Sequence, residues 1–146
     1  MKAPLNRRVF VIGYEAVTPL GKSFARTWEE AVQGKAGFRK VSKCQVDSLS
    51  DVVGEIPNWD PLELDFVDRR EASNWNADFV LLTMAVCRNA LQDAGLEMDR
   101  ETGPRTACLI GSSLNGTDAF RIAMDNYLRQ GPSRISPYLL PNLCAN

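Results

Sequence analysis

The residues with intrinsic reactivity are few and far apart. Four cysteines, Cys44, Cys87, Cys108 and Cys144, share no CxxC spacing, and the chain contains no histidine. A zinc site draws on several thiolates and imidazoles at short spacings, so the pattern argues against a metal. A serine or cysteine nucleophile would lack its usual base. Cys87, Cys108 and Cys144 stand in apolar surroundings and read as small core fillers, while Cys44, in a polar loop, reads as a free thiol. The stretch best shaped to meet a ligand is Gly111-Ser112-Ser113-Leu114-Asn115-Gly116. Small residues at the end of an apolar run let backbone come close to a bound molecule, although the ordinary reading is a tight strand-to-helix connection. No titratable group stands inside it. The chain by itself therefore offers no acid, base or activated nucleophile. The turn after the first apolar run, Gly13 to Val17, is not GxGxxG, and no P-loop occurs, which argues against a nucleotide cofactor.

The elements that must carry these turns follow from periodicity. Arg8 to Gly13 and Thr106 to Gly111 are short, β-branched, glycine-closed runs that suit strands covered on both faces. Ser23 can cap a helix in which Phe24, Thr27, Trp28, Ala31 and Val32 share one face, and Gly34 can end it. Phe38 to Asp60 has no sustained period and reads as an irregular insertion with a short strand at Val52 to Ile56. From Ala72 to Ala94 the positions Trp75, Phe79, Leu82, Val86, Ala90 and Leu91 predict one long, largely buried helix stopped by Gly95. Thr117 can cap another helix running to about Arg129. In Arg134 to Asn146, a capping serine, a first-turn proline and an apolar run predict a further buried helix that the sequence leaves unfinished. Strands and helices in alternation predict an α/β fold with a substantially parallel sheet, in one domain spanning residues 1–146.

Composition sets the outer limits. With 146 residues, 45% hydrophobic and 24% charged, the chain can bury one core in a water-soluble domain. Its 17 basic and 18 acidic residues are mixed along the chain and leave a net charge of −1. Such a surface has no field to collect nucleic acid or anionic lipid. No run approaches the roughly 20 apolar residues of a membrane span, and nothing resembles a signal peptide, so a cytoplasmic protein is expected.

Five segments, "RRVFVIGYEAVTPLGKS", "WEEAVQGKAGF", "ALQDAGL", "TACLIGSSLNG" and "GPSRISPYLLPN", occur in an order and at separations that strongly resemble the amino-terminal part of β-ketoacyl-acyl-carrier-protein synthases. The resemblance runs from about Arg8 to Asn146. It implies a thiolase-like fold, with this chain forming most of the first of two pseudo-symmetric halves. It also implies a homodimer or close heterodimer that works with acyl carrier protein. In that family the nucleophilic cysteine lies shortly beyond the segment matching "ISPYLLPN" and two histidines come much later, so the chain reads as an incomplete portion without catalytic residues. Cys144 is not the missing nucleophile, because Leu143-Cys144-Ala145-Asn146 lacks the family's motif.

Carried over position by position, the resemblance implies substrate-binding roles. Leu114 matches the bulky gatekeeper of the acyl pocket and Gly111, Ser112 and Ser113 the loop around it. Leu139, Leu140 and Cys144 match a helix that lines the acyl channel across the dimer. The residue types suit ordinary core equally well. Two departures stand out: Glu15 where many relatives have glycine, read as a surface change, and Ser73-Asn74-Trp75-Asn76 where a charged segment is usual. They leave open a non-catalytic chain-length partner subunit, in fatty-acid or polyketide synthesis, beside the active condensing enzyme. A self-sufficient interaction protein is a third reading, disfavoured because so few strands would leave apolar faces bare.

Overall fold

The computed structural model describes residues 8–42, 50–75 and 77–144. Cys44 and Asn76 lie outside the described residues. In chain order the helices are α1 (Phe24–Val32), α2 (Arg69–Asn74), α3 (Asp78–Asp93), α4 (Thr117–Gln130) and α5 (Leu139–Leu143), and the strands are β1 (Arg39–Lys40) and β2 (Val52–Val53). None of these helices is long and apolar enough to cross a membrane.

Local chemistry accounts for the helix ends. The Ser23 hydroxyl accepts from the backbone N–H of Arg26 and starts α1. Glu15 is not a simple surface change: its carboxylate accepts the N–H of Phe24, in the first turn of α1, and that of Ala16. A carboxylate at this end of a helix meets the positive pole of the dipole. Asp68 and Glu71 form a reciprocal capping box at α2. Gly34 and Gly95 follow α1 and α3 with left-handed backbone, φ +71° and +64°, as expected from sequence. Thr117 does not cap α4; it is the first helical residue, and Gly116 takes the cap position at φ +56°.

Three expectations are corrected. The long helix over Ala72 to Ala94 is two helices, broken between Asn74 and Asp78. Trp75 and Ala77 leave helical backbone, with ψ of 66° and 115°. The freed backbone groups are taken by distant side chains: Asn142 serves Asn74 and Ala77, and the Asp118 carboxylate accepts the N–H of Asp78 at 3.1 Å. Secondly, the runs at Arg8 to Gly13 and Thr106 to Gly111 form no strands. Val9, Val11 and Leu109 are 93%, 83% and 90% exposed, because among the described residues no neighbouring strand takes up their backbone groups, and a parallel strand needs both neighbours and cover. The sheet that forms is the antiparallel pair β1–β2, with Arg39 opposite Val53 and Lys40 opposite Val52. Thirdly, Cys87, Cys108 and Cys144 are exposed rather than buried. Cys108 lies in an unpaired run, and Cys87 falls off the Leu81–Ala85 face that α3 buries.

Among the described residues the core is correspondingly small and consists of Val67, Ala77, Leu81, Ala85, Ala119 and Ala123. Leu81 and Ala85, the buried residues of α3, continue at a spacing of four from Ala77 just before it, a single narrow stripe rather than a helix buried all round. Helix α4 packs against α5 and the turn Pro132–Arg134. Arg88 holds the segment before α2 onto α3: its guanidinium is bidentate to Asp65, at 2.7 and 2.9 Å, and lies 4.7 Å from the centre of the Phe66 ring. The apolar face expected of α1 is turned outward, with Trp28 and Val32 exposed, while Glu30 is buried between Arg26 and Lys35.

Candidate functional site

The break between α2 and α3 and the short helix α5 border an open pocket of about 520 Å³, whose lining residues Met84, Leu140, Pro141 and Cys144 are also exposed to solvent. That lies within the roughly 300–1,000 Å³ of small-molecule sites. One wall is Trp75 at the break with Phe79, Val80, Thr83 and Met84 of α3; the facing wall is Leu140, Pro141 and Cys144, and Ile110 closes a side. Spacing explains the α3 wall: Phe79, Val80, Thr83 and Met84 are separated by three and four residues and share one helical face. Among the described lining residues the one hydroxyl, on Thr83, donates to the Phe79 carbonyl at 2.7 Å, and none is charged. The occupant this lining favours is apolar, uncharged where it is buried, and bound chiefly by removal of its surface from water.

Asn142 ties the two walls together. It is the one large polar side chain that is fully buried among the described residues, 1% exposed. Its Oδ1 accepts the Ala77 N–H at 3.2 Å, and its Nδ2 donates to the carbonyls of Asn74 at 2.7 Å and Tyr138 at 2.9 Å. The Trp75 and Tyr138 rings meet edge to face, 5.7 Å between centres, beside the same junction. Gly116 brings α4 against it so closely that a Cβ there would stand 2.0 Å from the Asn142 carbonyl oxygen.

The residues predicted from sequence divide between lining and flank. Leu140 and Cys144 line the cavity, and Leu139 does not. Gly111, Ser112, Ser113 and Leu114 follow directly on the lining residue Ile110 but are themselves exposed, Leu114 by 79%. A Cβ at Gly111 would meet nothing, so no close backbone approach requires that glycine. The final helix is five residues long, and what it buries is Asn142 rather than its leucines. Sequence reasoning missed the lining residues Trp75, Phe79, Val80, Thr83, Met84, Ile110 and Pro141, and Asn142 behind them. The available signal was Asn142 itself, a lone amide in the apolar run Leu139 to Cys144.

Acid–base chemistry has no place in this lining. Among the described residues, two carboxylates have their pKa values lowered by the fold, and both lie elsewhere. Glu30 is held below its ordinary value first by a hydrogen bond from the Lys35 ammonium and then by the charges of Arg26 and Lys35, against the opposing pull of burial. Asp99 is lowered by the N–H of Thr102, then by the Thr102 hydroxyl and the N–H of Glu101. Among the described residues, no group of three or more Cys, Asp or Glu is arranged to hold a metal ion.

Comparison with known proteins places the sequence in a family. Residues 6–146 match the profile described as Beta-ketoacyl synthase, N-terminal domain. The chain is 32% identical over 139 residues to a 3-oxoacyl-[acyl-carrier-protein] synthase 2 of Staphylococcus aureus (strain COL), covering 94% of this chain and 33% of the relative. It is 31% identical over 143 residues to the protein of the same name from Coxiella burnetii (strain RSA 493 / Nine Mile phase I), covering 97% of this chain and 34% of the relative. It thus spans about a third of the length of the curated relatives it matches. With nearly every residue inside the matched region, the chain belongs to the β-ketoacyl synthase N-terminal domain family.

Proposed function

We propose that the chain is the amino-terminal portion of a β-ketoacyl-acyl-carrier-protein synthase of fatty-acid biosynthesis, and that its cavity receives the apolar end of an acyl group. The observation that carries this reading is a predominantly apolar pocket, with no charged side chain among its described lining residues, in a chain of this family. Each methylene buried there would contribute about 0.8 kcal/mol. The names of both relatives support a condensing enzyme over a non-catalytic chain-length subunit.

In this reading acyl carrier protein delivers the acyl group to a cysteine thiolate, with the carrier thiol as leaving group. A malonyl carrier protein loses carbon dioxide, and the resulting carbanion attacks the acyl thioester and expels the cysteine. Stabilisation of the enolate and of the oxyanion does most of the work. The nucleophile and the assisting histidines come from polypeptide other than residues 1–146, which hold no histidine. The whole enzyme has the thiolase-like fold, with this portion contributing most of the first of two pseudo-symmetric halves. The apolar runs Val9–Ile12 and Leu109–Ile110 then pair and bury in its sheet, and a second subunit completes a cytoplasmic dimer. Gly111, Ser112, Ser113, Leu114 and Leu139 adjoin lining residues in sequence and stay in the proposed acyl-binding set with Leu140 and Cys144.

The test is reconstitution. The complete enzyme carrying residues 1–146, given acyl and malonyl carrier proteins, should release carbon dioxide and form the β-ketoacyl product, and residues 1–146 alone should form none. Absence of product from the complete enzyme would overturn the condensing function. Product from residues 1–146 alone would overturn the assignment of chemistry to other segments.

A further inference from the structure

The cavity walls belong to segments far apart in sequence, and a cavity between two separate segments is only as well defined as what fixes their separation. Three hydrogen bonds from one amide do this. The Asn142 side chain spans from the Ala77 N–H and the Asn74 carbonyl, on either side of the helix break, to the Tyr138 carbonyl at the start of α5. Its chain neighbour Pro141 and the nearby Cys144 and Leu140 face the cavity from one side, and Trp75, between the two anchored backbone groups, faces it from the other. The amide is fully buried and uses its acceptor and both donor bonds on these anchors. A buried, fully satisfied amide is rigid, because each bond broken leaves an unpaired polar group out of water. An aliphatic side chain of similar size would fill the space without fixing the separation of the walls.

We infer that Asn142 is a specificity-determining positioning residue: by clamping the α2–α3 break to α5, it sets the length of apolar chain the cavity accepts. The inference rests on the reading of the cavity as an acyl site. It does not make Asn142 a catalytic residue, since its amide lies behind the lining and every polar atom is spent on backbone.

The experiment uses the full chain and a series of straight-chain acyl thioesters of N-acetylcysteamine, from butanoyl to hexadecanoyl. Binding is followed by calorimetry and by the side-chain amide signals of Asn142 in nitrogen-15 NMR. In the wild type, affinity should rise by about fourfold per added methylene and then stop rising once the cavity is full. The Asn142 amide protons should exchange slowly and should shift when the longest bound chains press the walls. In Asn142→Ala the plateau should move to longer chains or vanish. A purely structural role would lower the melting temperature and leave the plateau where it was. An unmoved plateau, or an Asn142 amide that exchanges freely and does not shift as the cavity fills, would overturn the inference while leaving the acyl site intact. The wild-type NMR measurement decides the matter even if the variant does not fold. No binding of any thioester by the wild type would instead remove the acyl-site reading, and the inference with it.

Discussion

Glu15 and Glu30 are both carboxylates that the fold puts to structural use, and neither was hinted at by its neighbours in sequence. Glu15 caps α1 from outside the helix, nine residues before the N–H it accepts, beyond the reach of a capping-box pattern. Glu30 occupies a position that periodicity left on the polar face of α1, yet it is buried, paired with Arg26 and with Lys35 at 2.6 Å. Because its folded-state pKa lies below the ordinary value, its contribution to stability is present above the unfolded pKa and is lost as pH falls through the folded one. Glu30→Gln should therefore lower the melting temperature at neutral pH, and the gap to wild type should close as the solution is acidified through the carboxylate range. Thermal melts across that range check it; a gap independent of pH would contradict the charge-based account. Leu114 belongs to the same scale. At 79% exposure it is not core in this chain, so Leu114→Ala should change the stability of the chain by no more than about 0.5 kcal/mol. In the complete enzyme the same change should lengthen the acyl groups accepted if Leu114 is the gate. Product-length analysis and melting temperature on this one variant separate the two effects.

Among the elements, the start of α1 and the ends of α1 and α3 were legible because their deciding groups are local, whereas the equally local Asp68–Glu71 capping box and the Gly116 cap were not read. Ser23, Gly34 and Gly95 act within a residue or two of the ends they define. The break between α2 and α3 was not legible, because the groups that receive its free backbone stand 65 residues away at Asn142 and 40 away at Asp118. An unbroken period over Ala72 to Ala94 reports which side chains are apolar; it carries no record of a distant amide competing for the backbone. The cavity was half legible for the same reason. Leu140 and Cys144 were reached through family resemblance, and the α3 wall that faces them was taken for ordinary core. Gly116 tests the junction from the α4 side. An alanine there would carry a left-handed backbone, at about 1–3 kcal/mol, and press its Cβ on the Asn142 carbonyl. Gly116→Ala should destabilise the chain by at least that amount in denaturant titration; a neutral result would show that α4 and α5 can separate without cost.

For the whole molecule, apolar runs specify a tendency to be buried and leave open against what. Val9, Val11 and Leu109 have the β-branched or aliphatic character of interior strands and remain exposed among the described residues, since a parallel sheet is a property of several strands together. The apolar runs were therefore readable from sequence, while the parallel sheet expected of them does not form among the described residues. The central claim concerns the cavity, and it is tested most directly by filling it. Met84 stands on the α3 wall, so Met84→Trp would take up space there without touching any group that could do chemistry. In the complete enzyme, the acyl chain lengths accepted should shorten. The kcat/KM for the longest donor should fall by about tenfold or more, the worth of roughly two buried methylenes, with short donors turned over as before. An unchanged length profile from a folded Met84→Trp enzyme would contradict the assignment of this cavity as the acyl site.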